Sequence, residues 1–443
     1  MIKRGLVLGG GGSRGAYQIG VWKALREYNI DIDVVTGTSI GALNGALMVQ
    51  DDYEGAVNLW KGMDYDKVMS DIDPKCFNSY KGTGQTFLNF IKKIISEGGV
   101  DIAPLENTVR SMLDEDKIRN SPLQYGLVTV EYPTMKEIAL SKNDIPKGKM
   151  ADYLLASAAC YPAFKSRNID DTLYVDGGYK DNLPIDLAVE LGANEVIAVD
   201  LGDECEYLPC SYKNIPVRYI KSYWDLGIFL SFNKNLLKRN TMLGYLDVLK
   251  SYRVLDGTAY AFIKGTKDEI FENIKPCFKI YNKIIGMTFD ENQGPVDKVV
   301  RGQLIKAMDF NPKANINIKE YIIRAAELAG EIMELSPAII YDINSFNAEI
   351  IKTYNEHEAE FLKDLDINFK DPKNLAKTAA ILGKYEKREI MAFIYRNIAK
   401  LFYENAKVNV KIMASVAPRE FLAALYIFYI KNSNTLGEYA KII

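Results

Sequence analysis

Short apolar runs, each closed by a glycine-rich or polar turn, alternate with helically spaced apolar residues through the first half of the chain. That alternation predicts an α/β domain. Gly5-Leu6-Val7-Leu8 reads as a strand that runs into a glycine-rich loop, and a helix starts near Ala16 with Tyr17, Val21 and Leu25 near helical spacing. Ile32-Asp33-Val34-Val35-Thr36 reads as a β-branched strand, and Ala42 to Met48 as a helix of small and apolar side chains. Gly126 to Val130, Glu137 to Leu140 and Val196 to Val199 are further strands, and Thr172-Leu173-Tyr174-Val175 is an apolar strand ending at Asp176. Between Ala56 and Met112, glycines 82, 84, 98 and 99 interrupt a mixed segment expected to form helices and loops capping a site. Arg218 to Lys250 sets Trp224, Leu226, Ile228, Phe229, Leu230 and Phe232 beside Lys234, Lys238 and Arg239. An amphipathic helix packed on the sheet is the preferred reading, and a mobile lid or interfacial patch is the alternative.

From Thr258 onward strand signals fade and helical patterning dominates, above all over Leu375 to Tyr403 and Pro418 to Lys431. Asp309-Phe310-Asn311-Pro312 and Asp371-Pro372 mark turns or helix starts. The expected organisation is a catalytic domain over 1–256, closing near Asp256-Gly257, and a mainly helical domain over 257–443 whose role the sequence leaves open. The uncharged run Phe421 to Ile430 is ten residues long, half of the about 20 a membrane span needs, so it reads as a buried helix.

Composition narrows the setting without naming a chemistry. The 443 residues are 48% hydrophobic with a net charge of −3, so no basic excess points to nucleic acid. Cys76, Cys160, Cys205, Cys210 and Cys277 are odd in number and scattered, which argues against a disulfide framework and for a reducing compartment. The few apolar residues after Met1-Ile2-Lys3-Arg4 are too short a run for a signal peptide, so a cytoplasmic protein is expected.

Candidate chemistry enters with Gly37-Thr38-Ser39-Ile40-Gly41, a Gly-x-Ser-x-Gly pentapeptide where a strand turns into a helix. A serine on so sharp a turn projects its hydroxyl from the sheet edge, and Gly37 and Gly41 admit the tight backbone. Such a nucleophile needs a base, and the chain's single histidine, His357, sits among acidic neighbours in a polar stretch. Asp176, at the end of its strand and followed by Gly177 and Gly178, is the better candidate. Partial burial raises a carboxyl pKa, and a direct Ser–Asp hydrogen bond guides the proton. On local sequence alone the Asp-Gly-Gly triplet is equally a plain turn. The loop Gly9-Gly10-Gly11-Gly12-Ser13-Arg14-Gly15 offers a nest of amides suited to an oxyanion or to a pyrophosphate. Its match to Gly-x-Gly-x-x-Gly keeps a nucleotide site in view, but the acids Asp31 and Asp33 stand at the start of the second strand rather than at its end.

These three pieces in order, with Ser157-Ala158-Ala159-Cys160-Tyr161-Pro162-Ala163-Phe164 and Asp181-Asn182-Leu183-Pro184, resemble the patatin-like phospholipase family from about Lys3 to Gly202. The resemblance implies a three-layer α/β/α hydrolase domain with a mostly parallel central sheet. It implies a lipid acyl hydrolase with a Ser39–Asp176 dyad, an oxyanion hole from Gly10, Gly11 and Gly12, and Arg14 holding that loop. It further implies no need of histidine or calcium and a fatty-acyl ester or phospholipid as substrate. No cofactor is expected, the scattered cysteines argue against a metal site, and peripheral contact with a membrane goes with the interfacial alternative for Arg218 to Lys250. Acyl transfer through the same acyl-enzyme, a non-catalytic lipid-binding scaffold, and nucleotide binding through Gly10 to Gly15 are the competing readings.

Overall fold

In the computed structural model, which describes residues 2–68, 92, 100, 102–202, 211, 214–275, 295–309, 317–357, 375–404 and 409–442, the chain divides into two units, Met1–Tyr252 and Arg253–Ile443. Glycines 82, 84, 98 and 99, Cys76, Cys205, Cys210, Cys277, Phe310-Asn311-Pro312 and Asp371-Pro372 lie outside the described residues.

The first unit is built on an eight-stranded sheet. Its strands are β1 (Arg4–Leu8), β2 (Val34–Thr38), β3 (Gln124–Tyr132), β4 (Lys136–Ser141), β5 (Arg167–Ile169), β6 (Thr172–Asp176), β7 (Glu195–Asp200) and β8 (Val217–Lys221). The spatial order is β5-β6-β3-β2-β1-β7-β8, with β4 also paired to β3. β3, β2, β1, β7 and β8 run parallel, whereas β4 and β6 pair antiparallel with β3, and β5 with β6. The described helices of this unit are α1 (Ala16–Glu27), α2 (Ile40–Val49), α3 (Tyr53–Lys61), α4 (Ala103–Met112), α5 (Glu115–Asn120), α6 (Met150–Ser157), α7 (Ile185–Glu190) and α8 (Lys234–Ser251).

Strand alternation sorts the apolar residues onto two covered faces. Val7 and Val34 point to one side and join Ile185 and Ala188 of α7, with Ala193, Val196 and Ala198, in a buried cluster. Val35 and Tyr125 point to the other side, where Gly45 lets α2 approach them and the Tyr125 hydroxyl donates to the Ala42 carbonyl at 2.8 Å. Helices on both faces make the three-layer α/β/α arrangement that the family resemblance implies.

Arg218 to Lys250 is two elements rather than one helix. Val217, Tyr219 and Ile220 suit a strand, and β8 pairs with β7. A turn then closes at Gly227, whose φ of 85° and whose amide bond to Asp225 interrupt any helix before α8 begins. Leu226, Leu230 and Phe232 are buried, so these apolar side chains face protein. α8 lies backbone-close on α1: a Cβ at Gly20 would stand 1.8 Å from the Thr241 carbonyl oxygen, and one at Gly244 would stand 2.0 Å from that of Tyr17.

The second unit is mainly helical, with a short parallel pair, β9 (Ala261–Phe262) and β10 (Ile340–Tyr341). Its described helices are α9 (Thr266–Ile274), α10 (Pro295–Ala307), α11 (Ile318–Ile332), α12 (Ile343–Glu356), α13 (Leu375–Leu382), α14 (Lys387–Tyr403), α15 (Val410–Val416) and α16 (Pro418–Ile442). Tyr260, Phe262 and Tyr341 meet Phe346 edge to face at ring-centroid distances of 4.9–5.1 Å. Arg324, 1% exposed, pairs with buried Glu327 and with Glu331, while Glu327 also accepts the Thr258 and Tyr260 amides. Phe421, Ile427 and Phe428 of α16 are buried, and no helix among the described residues is long and apolar enough to cross a membrane.

Candidate functional site

The turn from β2 into α2 is a strained elbow. Ser39 adopts φ 55° and ψ −125°, a left-handed conformation that a non-glycine residue holds only when its surroundings enforce it. A Cβ at Gly37 would stand 2.4 Å from the Gly41 carbonyl, and one at Gly41 would stand 2.0 Å from the Leu8 carbonyl oxygen, so neither position accepts a side chain. The Ser39 amide donates to Ser157 Oγ at 2.9 Å, and Ser157 Oγ donates onward to the Val128 carbonyl at 2.6 Å. The end of α6 thereby pins the elbow to β3.

β3 also brings Asp176 to the same place. β4 occupies one edge of β3 from Gly126 to Glu131, so β2 and β6 must share the other. β2 runs parallel to β3 and its last residue, Thr38, pairs with Val128. β6 runs antiparallel and its last residue, Asp176, pairs with Thr129. The carboxyl ends of two strands therefore meet head-on at consecutive residues of β3, with Ser39 following one and Asp176 ending the other. Gly177 fits beneath this junction because a Cβ there would stand 2.2 Å from the Val128 carbonyl oxygen. The Asp176 carboxylate accepts the Gly178 amide at 2.8 Å and is only 7% exposed. Burial raises its pKa from the ordinary 3.8 to about 6, against the opposing pull of hydrogen bonds from the Gly178 amide and the Ser39 hydroxyl.

The glycine-rich loop closes a third side. Gly9 donates its amide to the Val199 carbonyl and Gly10 donates to the Asn182 carbonyl. The Gly10 amide, expected among the oxyanion donors, is thus already committed to a backbone acceptor. Ser13 donates its amide to Phe229 O and its hydroxyl to Ile228 O, and Arg14 donates to Gly227 O at 2.7 Å and to Leu201 O at 3.0 Å. Three successive carbonyls of the loop before α8 therefore hold this segment from outside. Gly12, at φ 56°, has no room for a Cβ, which would stand 2.1 Å from Phe229 O. Among the described residues, the Gly11 and Gly12 amides have no acceptor.

A buried amide pair secures the loop from within. Gln18 donates to Gly9 O at 2.8 Å, Asn44 donates to Gly15 O at 3.1 Å and to Gln18 Oε1 at 2.8 Å, and the Trp60 indole N–H donates to Asn44 Oδ1 at 3.0 Å. α1 and α2 are thereby locked to both ends of the glycine run. The sequence reading missed Gln18 and Asn44, although each is a polar residue on an otherwise apolar helix. Ser157 and Asn182 fall within stretches that carry the family resemblance, where nothing local marks the roles they take in the fold. Asn182 Nδ2 donates to Gly10 O at 3.4 Å, linking the loop to the segment after Asp176.

Ser39, Asp176, Gly10, Gly11, Gly12, Arg14, Gly178 and Asn182 line one cavity of about 340 Å³ whose remaining walls are mostly apolar. Cys160 also lines it, as a free thiol that burial pushes up to about 11 and so keeps protonated. His357 is not among the lining residues and follows α12 in the second unit. The arrangement sets a strained serine hydroxyl, a buried carboxyl and two free amides around an apolar space, a combination suited to acyl transfer.

A family model described as Patatin-like phospholipase matches residues 6–189. The chain is 30% identical over 359 residues to patatin-like phospholipase domain-containing protein 6 of Pongo abelii, covering 76% of this chain and 24% of that protein. It is 32% identical over 213 residues to patatin-like phospholipase domain-containing protein ZK370.4 of Caenorhabditis elegans, covering 45% of this chain and 13% of that protein. It is 30% identical over 215 residues to lysophospholipase nte1 of Aspergillus terreus, covering 47% and 12%. The chain therefore spans only 12–24% of the length of these curated relatives. A crystal structure of VipD from Legionella pneumophila aligns over 97% of this chain and 92% of its own at 14% identity, with a TM-score of 0.30, too loose a likeness to carry functional weight. The match over residues 6–189 spans the glycine-rich loop, the elbow and the Asp-Gly-Gly turn, and together with the relative at 30% identity over 76% of this chain it shows that the chain belongs to the patatin-like phospholipase family.

Proposed function

We propose that the first unit is a serine-dependent, calcium-independent lipid acyl hydrolase acting on fatty-acyl esters, with phospholipids or lysophospholipids as the substrate class. The observation that carries this reading is the head-on meeting of β2 and β6 on β3, which sets the Ser39 hydroxyl against a buried carboxylate. Ser39 Oγ attacks the ester carbonyl carbon while its proton passes to Asp176. The carbonyl oxygen, now an oxyanion, takes the Gly11 and Gly12 amides. Collapse of the intermediate expels the alcohol or lysolipid, which leaves with the proton from Asp176. Water then attacks the acyl-enzyme and gives its proton to Asp176, and collapse of the second intermediate releases the fatty acid as Ser39 Oγ takes that proton back from Asp176. A carboxyl near pKa 6 is ionised at neutral pH yet basic enough to share a proton, which an ordinary aspartate near 3.8 does poorly. Membership of a phospholipase family supports the lipid class, and the apolar cavity walls suit an acyl chain.

The test is labelling of wild type, Ser39→Ala and Asp176→Asn with a fluorophosphonate probe, beside release of a chromogenic acyl ester in excess calcium chelator. Wild type is expected to label and turn over, Ser39→Ala to do neither, and folded Asp176→Asn to lose turnover. A wild type that neither labels nor hydrolyses any ester, or a Ser39→Ala that keeps its turnover, refutes the reading.

A further inference from the structure

A second apolar space of about 50 Å³ adjoins the cavity at Ser39. Ile40, Leu43, Trp60, Met63 and Leu105 line both spaces, so these five side chains are the wall between them. α2 supplies a track through that wall. Its Ile40, Leu43 and Leu47 follow at i, i+3 and i+7 on one helix face, a line of about 10 Å at 1.5 Å rise per residue. Ile40 and Leu43 border both spaces, whereas Leu47 borders only the far one. An acyl chain leaving Ser39 along this face meets the wall before it reaches Leu47.

Trp60 is the most firmly held part of the wall. It is 4% exposed, and its indole N–H is fixed to Asn44 Oδ1 at 3.0 Å. The benzo edge on the nitrogen's side, Cζ2 and Cη2, lies against Gly15, where a Cβ would stand 2.9 Å from Cζ2. A buried ring anchored at its nitrogen and packed along the adjoining benzo edge is held in one place in the wall. Leu105, half-buried on α4, completes the wall and makes no part of the Gln18–Asn44 amide pair.

We propose that Trp60 and Leu105 are specificity-determining residues that form the end wall of the acyl-chain subsite and set the longest acyl group the enzyme accepts. The space behind them, bordered by Leu47, Val109, Met112 and Leu154, is where a longer chain goes once the wall is cut back. This inference rests on the reading of Ser39 as the acyl acceptor. Trp60 has a second task, because its N–H also orients the Asn44 amide that holds Gly15.

The test compares kcat/KM for a chromogenic ester series from butanoyl to hexadecanoyl in wild type, Trp60→Ala, Leu105→Ala and Trp60→Phe. Trp60→Ala and Leu105→Ala are expected to move the optimum to longer chains by two or more methylenes. Each added methylene should gain about fourfold relative to wild type, the equivalent of ~0.8 kcal/mol per buried CH2. Trp60→Phe keeps a ring in the wall but loses the N–H, so it should lower turnover at every length while leaving the optimum in place. Leu105→Ala keeps the question answerable if Trp60→Ala does not fold. Active variants with the wild-type chain-length profile overturn the inference and leave the hydrolase reading standing. A wild type inert toward the whole series and unlabelled by fluorophosphonate overturns both.

Discussion

Replacing Asp176 by Asn should abolish turnover and stabilise the fold, and the size of that stabilisation follows from the site. Burial raises the carboxyl from 3.8 to about 6, so at neutral pH the fold holds an ionised group in surroundings that disfavour its charge. At 1.36 kcal/mol per pH unit, the roughly two units between these values cost about 3 kcal/mol. The sign follows from proton linkage. The folded state binds its proton more tightly than the unfolded one, so this part of the stability is complete below about pH 4. It drains as pH rises towards about 6 and is fully lost above that. Asn is neutral throughout, and its Oδ1 can still accept the Gly178 amide. The difference between the Asp176→Asn variant and wild type should therefore be small near pH 4, grow to about 3 kcal/mol near pH 6, and stay level to pH 8. Asp181, which burial also raises to about 6, is present in both proteins and cancels. Denaturant unfolding at each pH, read as the difference between the two proteins, is the assay. A difference that does not change with pH, or a variant less stable than wild type at pH 8, would refute the assignment of Asp176 as a strained, desolvated carboxylate.

The same carboxyl should give wild type a kcat/KM that rises about tenfold per pH unit below about 6 and levels off above it, measured on a soluble ester. Gly12→Ala should cost about 10²-fold or more in kcat, roughly the loss of an oxyanion donor, because its Cβ collides with Phe229 O at a positive φ. Gln18→Leu should cost about 1–3 kcal/mol in stability by leaving Gly9 O and one of the two Asn44 Nδ2 hydrogens unpaired, with kcat falling more than KM changes. In the second unit, Arg324→Met should cost about 3–5 kcal/mol, since Glu327 would keep a buried charge after losing its guanidinium; calorimetry reads it as a lowered transition.

Local pattern carried the fold class and the elbow. Short continuous apolar runs between glycine-rich turns forecast strands whose faces must both be covered, and helical spacing supplied the cover. Gly37, Ser39 and Gly41 announce their turn because no other residue type fits the two glycines' backbone approaches, so the constraint is written within five consecutive positions. Arg218 to Lys250 was harder to read, because apolar residues beside basic ones describe a strand, a turn and a helix as readily as one amphipathic helix. The division of labour among the glycine amides was invisible for a related reason. What separates the Gly10 amide from those of Gly11 and Gly12 is the Asn182 carbonyl opposite it, supplied from far along the chain.

By itself the sequence determined a serine on a glycine-flanked turn, an amide-rich loop and a strand-terminal carboxylate, since each is a short-range matter of backbone freedom and side-chain type. Only the tertiary structure decided that they meet. Ser39 and Asp176 converge because β2 and β6 share one edge of β3 in opposite directions and end at Val128 and Thr129. Strand direction and register are set by pairing across the whole sheet, and burial then turns an ordinary aspartate into one near pKa 6.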